Sequence, residues 1–369
     1  MKKLIIYPFE KEISDIARYR EILEEYKLVN IVAPKGWGLG GKESSKLDGG
    51  EKTGMIISEQ FEKALEECDT VFFNDTKSQA LFYTYLDKIR IAYERNKEIL
   101  MTKALYERLS LNEKLDFDVN IVNTPMNYYD DFLNKEYRYK LYKINTPIIG
   151  VFGIGDYCNK FDIQLELRKK FMKDGYRVSQ LGTKQYSTLF GFPSLPEFIF
   201  SSDMSMEEKI LSFNHYIHYI EHKENPDIII LGIPGGIMPL SDEYTNYFGE
   251  LSLIISKAVP IDVSILSMYY TKELEIKILN DIKLYFKYAL QCSVDYFNLT
   301  NIKYERDPSS GDVYYTTMED NQKVSKFISK QGELYKIHNI NLFSVLDQSA
   351  FENIYNCIIK ELAEGILQI

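Results

Sequence analysis

The sequence predicts an α/β chain of two parallel-sheet domains, on three observations. Short apolar runs alternate with stretches of helical periodicity over most of the chain, the pattern of strands crossed over by helices. The alternation is broken once, by a polar, tyrosine-rich segment from Asn123 to Asn145. A length of 369 residues also exceeds what one core ordinarily serves. The expected organisation is a first domain over 1–122, a linker over 123–146 and a second domain over 147–369.

In the first domain, Leu4–Tyr7 reads as a strand. Ile13, Ile16, Ala17, Ile22, Leu23 and Tyr26 recur at helical spacing and predict an amphipathic helix over 11–27. Strands are expected at Leu28–Ala33, Met55–Ile57, Thr70–Phe73 and Ile99–Met101, with helices over 58–67 and 79–95. In the second domain, Ile148–Phe152 is a strand and Phe161–Lys173 a helix. Strands at Arg177–Leu181, Asp227–Leu231 and Ile261–Leu266 alternate with helices at Ser205–Lys223, Tyr247–Ala258 and Lys272–Leu290. From Ser293 the pattern is less regular and ends in a helix over 348–367.

Composition excludes several function classes. The net charge of −10 argues against nucleic acid, whose phosphates need clustered Lys and Arg. Nor is there a polybasic membrane patch or a run approaching the ~20 apolar residues of a membrane span. The four cysteines, Cys68, Cys158, Cys292 and Cys357, form no CxxC pair. They fit neither a disulfide framework nor a zinc site and suggest a reducing, cytoplasmic setting. The apolar stretch after Lys2-Lys3 is too short for a signal-peptide core. The abundance of tyrosine reads as codon bias rather than chemistry.

The segment carrying most chemistry is Pro147-Ile-Ile-Gly-Val-Phe-Gly-Ile-Gly-Asp-Tyr-Cys-Asn-Lys-Phe-Asp162. A buried strand, a glycine-bearing loop and a helix start make an anion cradle, because a helix N-terminus presents N–H groups and a partial positive charge. Gly153, Gly155, Asp156, Asn159 and Lys160 are the expected phosphate ligands. A Walker A loop has Gly before the Lys and Ser or Thr after it. Here Asn159 and Phe161 hold those places, so the hydroxyl that would bind Mg²⁺ is replaced. The strand Asp227–Leu231 exits as Leu231-Gly232, without the carboxylate of a Walker B element. Gly235 and Gly236 beyond it offer either close backbone approach to a ligand or a turn needing positive φ. Thr183 and Gln185, after the strand Arg177–Leu181, either line the same cleft or form a plain polar strand exit.

A glycine-rich loop over 34–54 follows the second strand and contains the only tryptophan, Trp37. Lys35, Trp37, Gly40, Gly41 and Lys42 make it a candidate flap for an anion or a peptide; the alternative is a floppy insertion. His215, His218 and His222 fall on one helical face. The outer two are about 10 Å apart along the axis and no nearby Cys or carboxylate clearly completes a site, so they read as partly exposed histidines and no metal is expected.

Gly153-Ile-Gly-Asp-Tyr-Cys-Asn-Lys160, Leu181-Gly-Thr-Lys-Gln185 and Leu231-Gly-Ile-Pro-Gly-Gly-Ile-Met-Pro239 follow one another over roughly 147–270. In order and context they resemble a two-domain family that includes D-glutamate N-acetyltransferases. That family pairs a Rossmann-like N-terminal domain with a P-loop domain of the dethiobiotin-synthetase type. Its motifs look like GT-D-C-x-x-GK, ATGQT and EGQGSLxHP, and this chain departs from them at the Gly before the Lys, the residue after it and the Glu of the third motif. Tyr7-Pro-Phe-Glu10, Val32-Ala-Pro-Lys-Gly-Trp-Gly-Leu-Gly-Gly-Lys42 and Cys68-Asp-Thr-Val-Phe-Phe73 carry a second likeness, over most of the chain. They resemble peptide maturation system proteins encoded beside radical-SAM maturases of Cys-rich, bacteriocin-like peptides.

The expected fold is therefore a Rossmann-like domain followed by a degenerate P-loop domain. The expected function is an accessory role in bacteriocin-like peptide maturation, with a phosphate-bearing ligand in the P-loop cleft. Nucleotide and coenzyme A are both open as that ligand. The resemblance implies the precursor peptide or its maturase as partner, and homo-oligomerisation stays open. The alternatives are an N-acyltransferase using acetyl-CoA and an ATP-dependent ligase or kinase.

Overall fold

The computed structural model describes residues 1–76, 81–111, 118–122, 139–307, 313–318 and 321–366. It divides into two units, Met1–Thr124 with Lys184–Ser194, and Pro125–Thr183 with Leu195–Ile369. Both are α/β, each built on a parallel sheet. Of the expected linker, 123–138 lies outside the described residues, and 139–146 has no regular secondary structure.

The first unit runs β1 (Lys2–Tyr7), α1 (Ser14–Arg18), β2 (Tyr26–Ile31), α2 (Ser45–Asp48), α3 (Phe61–Glu66), β3 (Thr70–Phe73), α4 (Phe82–Glu94), β4 (Glu98–Thr102), α5 (Lys103–Ser110) and β5 (Asn120–Val122). Its strand order is β2-β1-β3-β4-β5, all parallel. Residues 4–7 of β1 and all of β3 are buried, as expected when helices cover both faces and a strand reads as a continuous apolar run. Ile5, Tyr7, Val71, Phe73, Ile99 and Met101 share one core with α3, α4 and α5. The helix expected over 11–27 is instead a 3₁₀ turn, the short α1 and another 3₁₀ turn, because the chain leaves α-helical geometry at Tyr19 (φ −106°, ψ 26°). The strand expected at Met55–Ile57 is reduced to single bridges, Glu43 with Ile56 and Val32 with Ser58. Neither α5 nor β5 was anticipated.

The second unit runs β6 (Ile148–Gly153), α6 (Lys160–Lys173), β7 (Val178–Leu181), α7 (Met206–Glu224), β8 (Ile228–Gly232), α8 (Glu250–Ala258), β9 (Val263–Met268), α9 (Ile276–Tyr285), β10 (Tyr296–Leu299), β11 (Ile302–Arg306), β12 (Val313–Thr317), α10 (Gln322–Ile337), β13 (Asn341–Phe343) and α11 (Gln348–Ile366). The main sheet is parallel, in the order β13-β10-β9-β6-β8-β7, and β11–β12 is a separate antiparallel hairpin. Ile148 and Phe152 point to one core while Ile149 and Val151 point to the other, the two-residue alternation of a strand. The segment after Ser293, expected to be less regular, adds β10 and β13 to this sheet.

α8 starts three residues later than expected. Asn246, Tyr247, Phe248 and Gly249 have φ of 49°, 51°, 55° and 74°, a turn of left-handed backbone ahead of the helix. Tyr247 and Phe248 are exposed there.

Candidate functional site

The strand, the glycine-bearing loop and the helix start form where the sequence places them. β6 is central, with β8 on one side and β9 on the other, so the chain reverses direction of strand addition at its C-terminal edge. Open α/β sheets bind ligands at such points. The apolar run of β6 ends in Gly153, whose missing side chain leaves room for Cys158 Sγ and the Lys160 stem. The loop turns on two left-handed residues, Tyr157 (φ 56°) and Asn159 (φ 57°), and α6 begins at Lys160 with no side-chain cap.

Lys160 is buried and its ammonium donates to the Gly155 carbonyl at 3.0 Å and to the Gly235 carbonyl. It thus pins the 153–160 loop to the loop after β8, and brings Gly153, Gly155, Lys160 and Gly235 into one place. Gly236 packs there too: a side chain on it would collide with Asn246 and the Ile154 carbonyl. Asn246 Nδ2 donates to the carbonyls of Ile154 (3.0 Å) and Met238 (2.8 Å), so the left-handed turn is tied to the same loop. Asn159 Nδ2 donates to Asp162 at 2.9 Å.

Phe161 is buried. Gln164, one turn into α6, lies over Gly232, and donates to the Lys160 carbonyl at 3.1 Å. Its Oε1, buried, has no hydrogen-bond partner, nor does Asn159 Oδ1. Cys158 is inert, since burial raises its thiol pKa and its Sγ donates to the Gly155 carbonyl at 3.1 Å.

Five tyrosines gather beside this loop, and the sequence reading passed them over. The Tyr157 ring lies 5.0 Å from Tyr315, Tyr269 stacks on Tyr304 at 5.7 Å, and Tyr244 lies 6.1 Å from Tyr304. Tyr244 donates to the Asp156 carboxylate at 3.4 Å and Tyr269 donates to its backbone carbonyl. Burial raises the pKa of Tyr244 and Tyr269, which keeps both hydroxyls protonated as donors. Tyr304 and Tyr315 face each other across the β11–β12 hairpin. That pairing was the available signal, but it requires knowing that the hairpin folds back to the end of β9.

Thr183 and Gln185 are not brought to Lys160 by any described contact. Thr183 ends the exit from β7, an edge strand separated from β6 by β8. Gln185 starts a 3₁₀ helix, Gln185–Phe190, that belongs to the first unit. There Tyr186 donates to the buried Asp15 carboxylate at 2.9 Å and Lys184 to the Glu12 carbonyl at 3.4 Å.

The loop over 34–54 is a built structure rather than an open tip. The Glu43 carboxylate accepts hydrogen bonds from the backbone and hydroxyl groups of both Ser45 and Thr53, and from the Gly54 N–H. Burial raises its pKa, but those bonds outweigh it and hold the carboxyl down to about 2. Arg18 pairs with Asp48 and donates to the Glu51 carbonyl at 3.0 Å. Trp37 is half-buried against the core, while Lys35, Gly40, Gly41 and Lys42 are exposed.

The first unit has its own reversal of strand order, between β1 and β3. Glu10 and Asn74 sit at those strand ends, and Asn74 Nδ2 donates to Glu10 Oε1 at 2.9 Å. Burial, with Glu12 nearby, pushes the Glu10 carboxyl up to about 8. Among the described residues no helix is long and apolar enough to cross a membrane.

No protein-family model matches the sequence, and no curated protein matches it. Among solved structures, the chain is similar to a DUF1611 family protein from Anabaena variabilis, at 12% identity over 98% of this chain and 100% of that one, with a TM-score of 0.57. It also aligns with a nucleotide-binding protein from Archaeoglobus fulgidus in complex with ADP, at 16% identity over 56% of this chain and 84% of that one, with a TM-score of 0.27. A GTPase from Pyrococcus abyssi aligns at 12% identity over 41% of this chain and 66% of that one, with a TM-score of 0.26. The first of these likenesses extends along the whole chain, and it is a likeness of fold.

Proposed function

We propose that the protein binds a phosphate-bearing ligand on the 153–160 loop, as an accessory component of a bacteriocin-like peptide maturation system. The observation that carries the ligand reading is the seating of Lys160 at an uncapped helix start on the edge of the central strand. Anions are stabilised at helix N-termini, and a lysine there adds a full charge. The Lys160 bonds to the Gly155 and Gly235 carbonyls hold the loop in shape. A phosphate would take the ammonium over from one of them. The peptide-maturation role rests on the sequence resemblance, with the Trp37 loop as the surface offered to a precursor peptide or its maturase.

The reading places hydrolysis outside the function. Mg²⁺ in P-loop enzymes is held by a hydroxyl after the lysine and an acid at a strand end. Phe161 and Leu231-Gly232 stand at those places. The acyltransferase alternative, with coenzyme A phosphates on the same loop, needs no such metal and stays closer to the site than a kinase or ligase.

The test is equilibrium binding of ATP, GTP and acetyl-CoA, with and without Mg²⁺, to the full chain and to Lys160→Ala. The variant is expected to lose one charge-assisted contact, a fall of roughly 10–150-fold in affinity. Turnover of ATP or GTP is expected to stay below ~1 s⁻¹. A folded variant that binds as the parent does, or a parent that binds none of the three, removes the phosphate reading. For the partner, Trp37 emission is followed on titration with the precursor peptide. An unchanged spectrum at saturation removes the peptide role.

A further inference from the structure

Residues 218–222 read His-Tyr-Ile-Glu-His. This is an H-x-x-E-H spacing, which puts two imidazoles one helical turn apart on α7 with a carboxylate between them. One ligand atom from each of His218, Glu221 and His222 lies within 4.8 Å of the other two. The two imidazole rings have centroids 4.1 Å apart. The carboxylate whose absence argued against a metal is thus supplied by the same helix.

Each donor is prepared by its surroundings. His222 Nδ1 lies 2.8 Å from the His218 carbonyl. A ring N–H donating there leaves Nε2 with its lone pair outward, the arrangement that second-shell carbonyls impose on metal-binding histidines. His218 has Tyr142 stacked on its ring at 4.2 Å and 19°. Stacking covers the face of the ring and leaves its nitrogen edge available. Glu221 is 9% exposed. One of its oxygens, Oε1, accepts the backbone N–H of both Asn145 and Thr146 at 2.7 Å. The other, Oε2, is buried and has no hydrogen-bond partner. The His222 ring has its Nδ1 3.9 Å from Oε2, beyond hydrogen-bond reach, and that nitrogen lies 2.8 Å from a carbonyl. A buried carboxylate oxygen without a partner is costly, and a cation is what relieves it.

We propose that His218, Glu221 and His222 bind a divalent transition ion of the zinc class. Two imidazoles and one carboxylate oxygen are a donor set that suits Zn²⁺, Co²⁺ or Ni²⁺ rather than Mg²⁺ or Ca²⁺. With bonds of 2.0–2.2 Å, ligand atoms of a tetrahedral site lie roughly 3.3 Å apart. The present spacing, up to 4.8 Å, is wider than this, so the side chains must draw together on binding. His215 takes no part, because its Nε2 is bonded to the Lys140 carbonyl at 2.8 Å. Three protein donors leave a coordination position for water or an outside ligand.

The site would also act on the backbone. Asn214 holds the Tyr142 N–H at 2.7 Å and its carbonyl at 3.0 Å, His215 holds Lys140, and Glu221 holds Asn145 and Thr146. Residues 140–146 are therefore strapped along α7 just before β6. An ion on Glu221 fixes the carboxylate on which the end of that strap hangs.

The experiment titrates chelator-treated full-length protein with Zn²⁺ by calorimetry and with Co²⁺ by visible absorption. The expected result is one ion per chain, with Co²⁺ bands of an N/O-ligated site. Binding should weaken in acid, because a protonated imidazole cannot ligate a metal. The double variant His218→Ala/His222→Ala is expected to lose at least about a hundredfold in affinity, and Glu221→Gln at least about tenfold. Glu221→Gln retains a carbonyl oxygen for the two amides, so a loss there is not a loss of the strap. His215→Ala is expected to bind as the parent does. Hydrogen exchange at Asn145 and Thr146 should slow on adding Zn²⁺ to the parent and not to the double variant. Absence of binding at millimolar Zn²⁺, or equal binding by the folded double variant, overturns the proposal.

Discussion

Glu10 shows how one side chain can set a pH dependence. Its carboxyl is pushed up to about 8 by burial, against an ordinary value of 4.5. The folded chain then keeps a proton that the unfolded chain releases, and stability falls as pH rises from about 4.5 to about 8. Glu10→Gln preserves the acceptor for Asn74 and removes the titration. Urea unfolding across that range should show a slope in the parent that the variant lacks, and parallel slopes would refute the assignment. This behaviour was invisible in the sequence, where Glu10 is simply an acid after an apolar run. The strand–loop–helix junction that seats Lys160 was legible, because an apolar run, two glycines and a helical period follow one another there. The carbonyl partners of Lys160 were less so, since Gly235 lies on another strand exit. Glu221 was missed for a different reason. The histidines were spaced against each other, and the acid between His218 and His222 was not placed on their face.

At the scale of elements, buried strands were the most readable feature. Ile148–Phe152 and Thr70–Phe73 are buried throughout, and each strand begins and ends within a residue of the expected place. The strands β10 and β13 escaped because Tyr296-Phe-Asn-Leu299 and Asn341-Leu-Phe343 are short and carry polar residues, and their burial comes from neighbours far along the chain. Helix starts were less readable. The apolar spacing of Tyr247–Ala258 is helical throughout, and spacing carries no information on handedness. The left-handed turn at Asn246–Gly249 is a costly conformation for residues with side chains, at about 1–2 kcal/mol each. Tyr247→Gly should therefore stabilise the protein by about 1 kcal/mol. Gly249→Ala should destabilise it by more than about 2 kcal/mol, since a side chain there meets the Ile237 carbonyl at a left-handed φ. Chemical denaturation of both variants checks this. A destabilised Tyr247→Gly would mean that the exposed ring has a role in folding.

At the scale of the molecule, two parallel sheets follow from composition and alternation, and both are present. What alternation could not convey is that Lys184–Ser194 joins the first unit while the strand before it belongs to the second. Tyr186, Leu189, Phe190 and Phe192 are buried in that segment. Tyr186→Phe removes its hydrogen bonds to the Asp15 carboxylate, a loss of about 1.5–3 kcal/mol. The single tryptophan lies in the same unit. Its unfolding curve should thus move to lower denaturant in the variant, and an unmoved midpoint would mean the segment contributes nothing there.

The path of that segment bears on how the gene can be divided. The backbone passes between the two units at 124/125, 183/184 and 194/195. One scission therefore never produces two self-sufficient products. A fragment beginning at residue 125 carries away a buried segment of the first unit, and the complementary fragment lacks it. Truncation studies, split reporters and tag insertions that treat the halves as modular would lose solubility for this reason alone. A faithful dissection transplants 184–194 onto the N-terminal fragment and bridges 183 to 195 with a short linker.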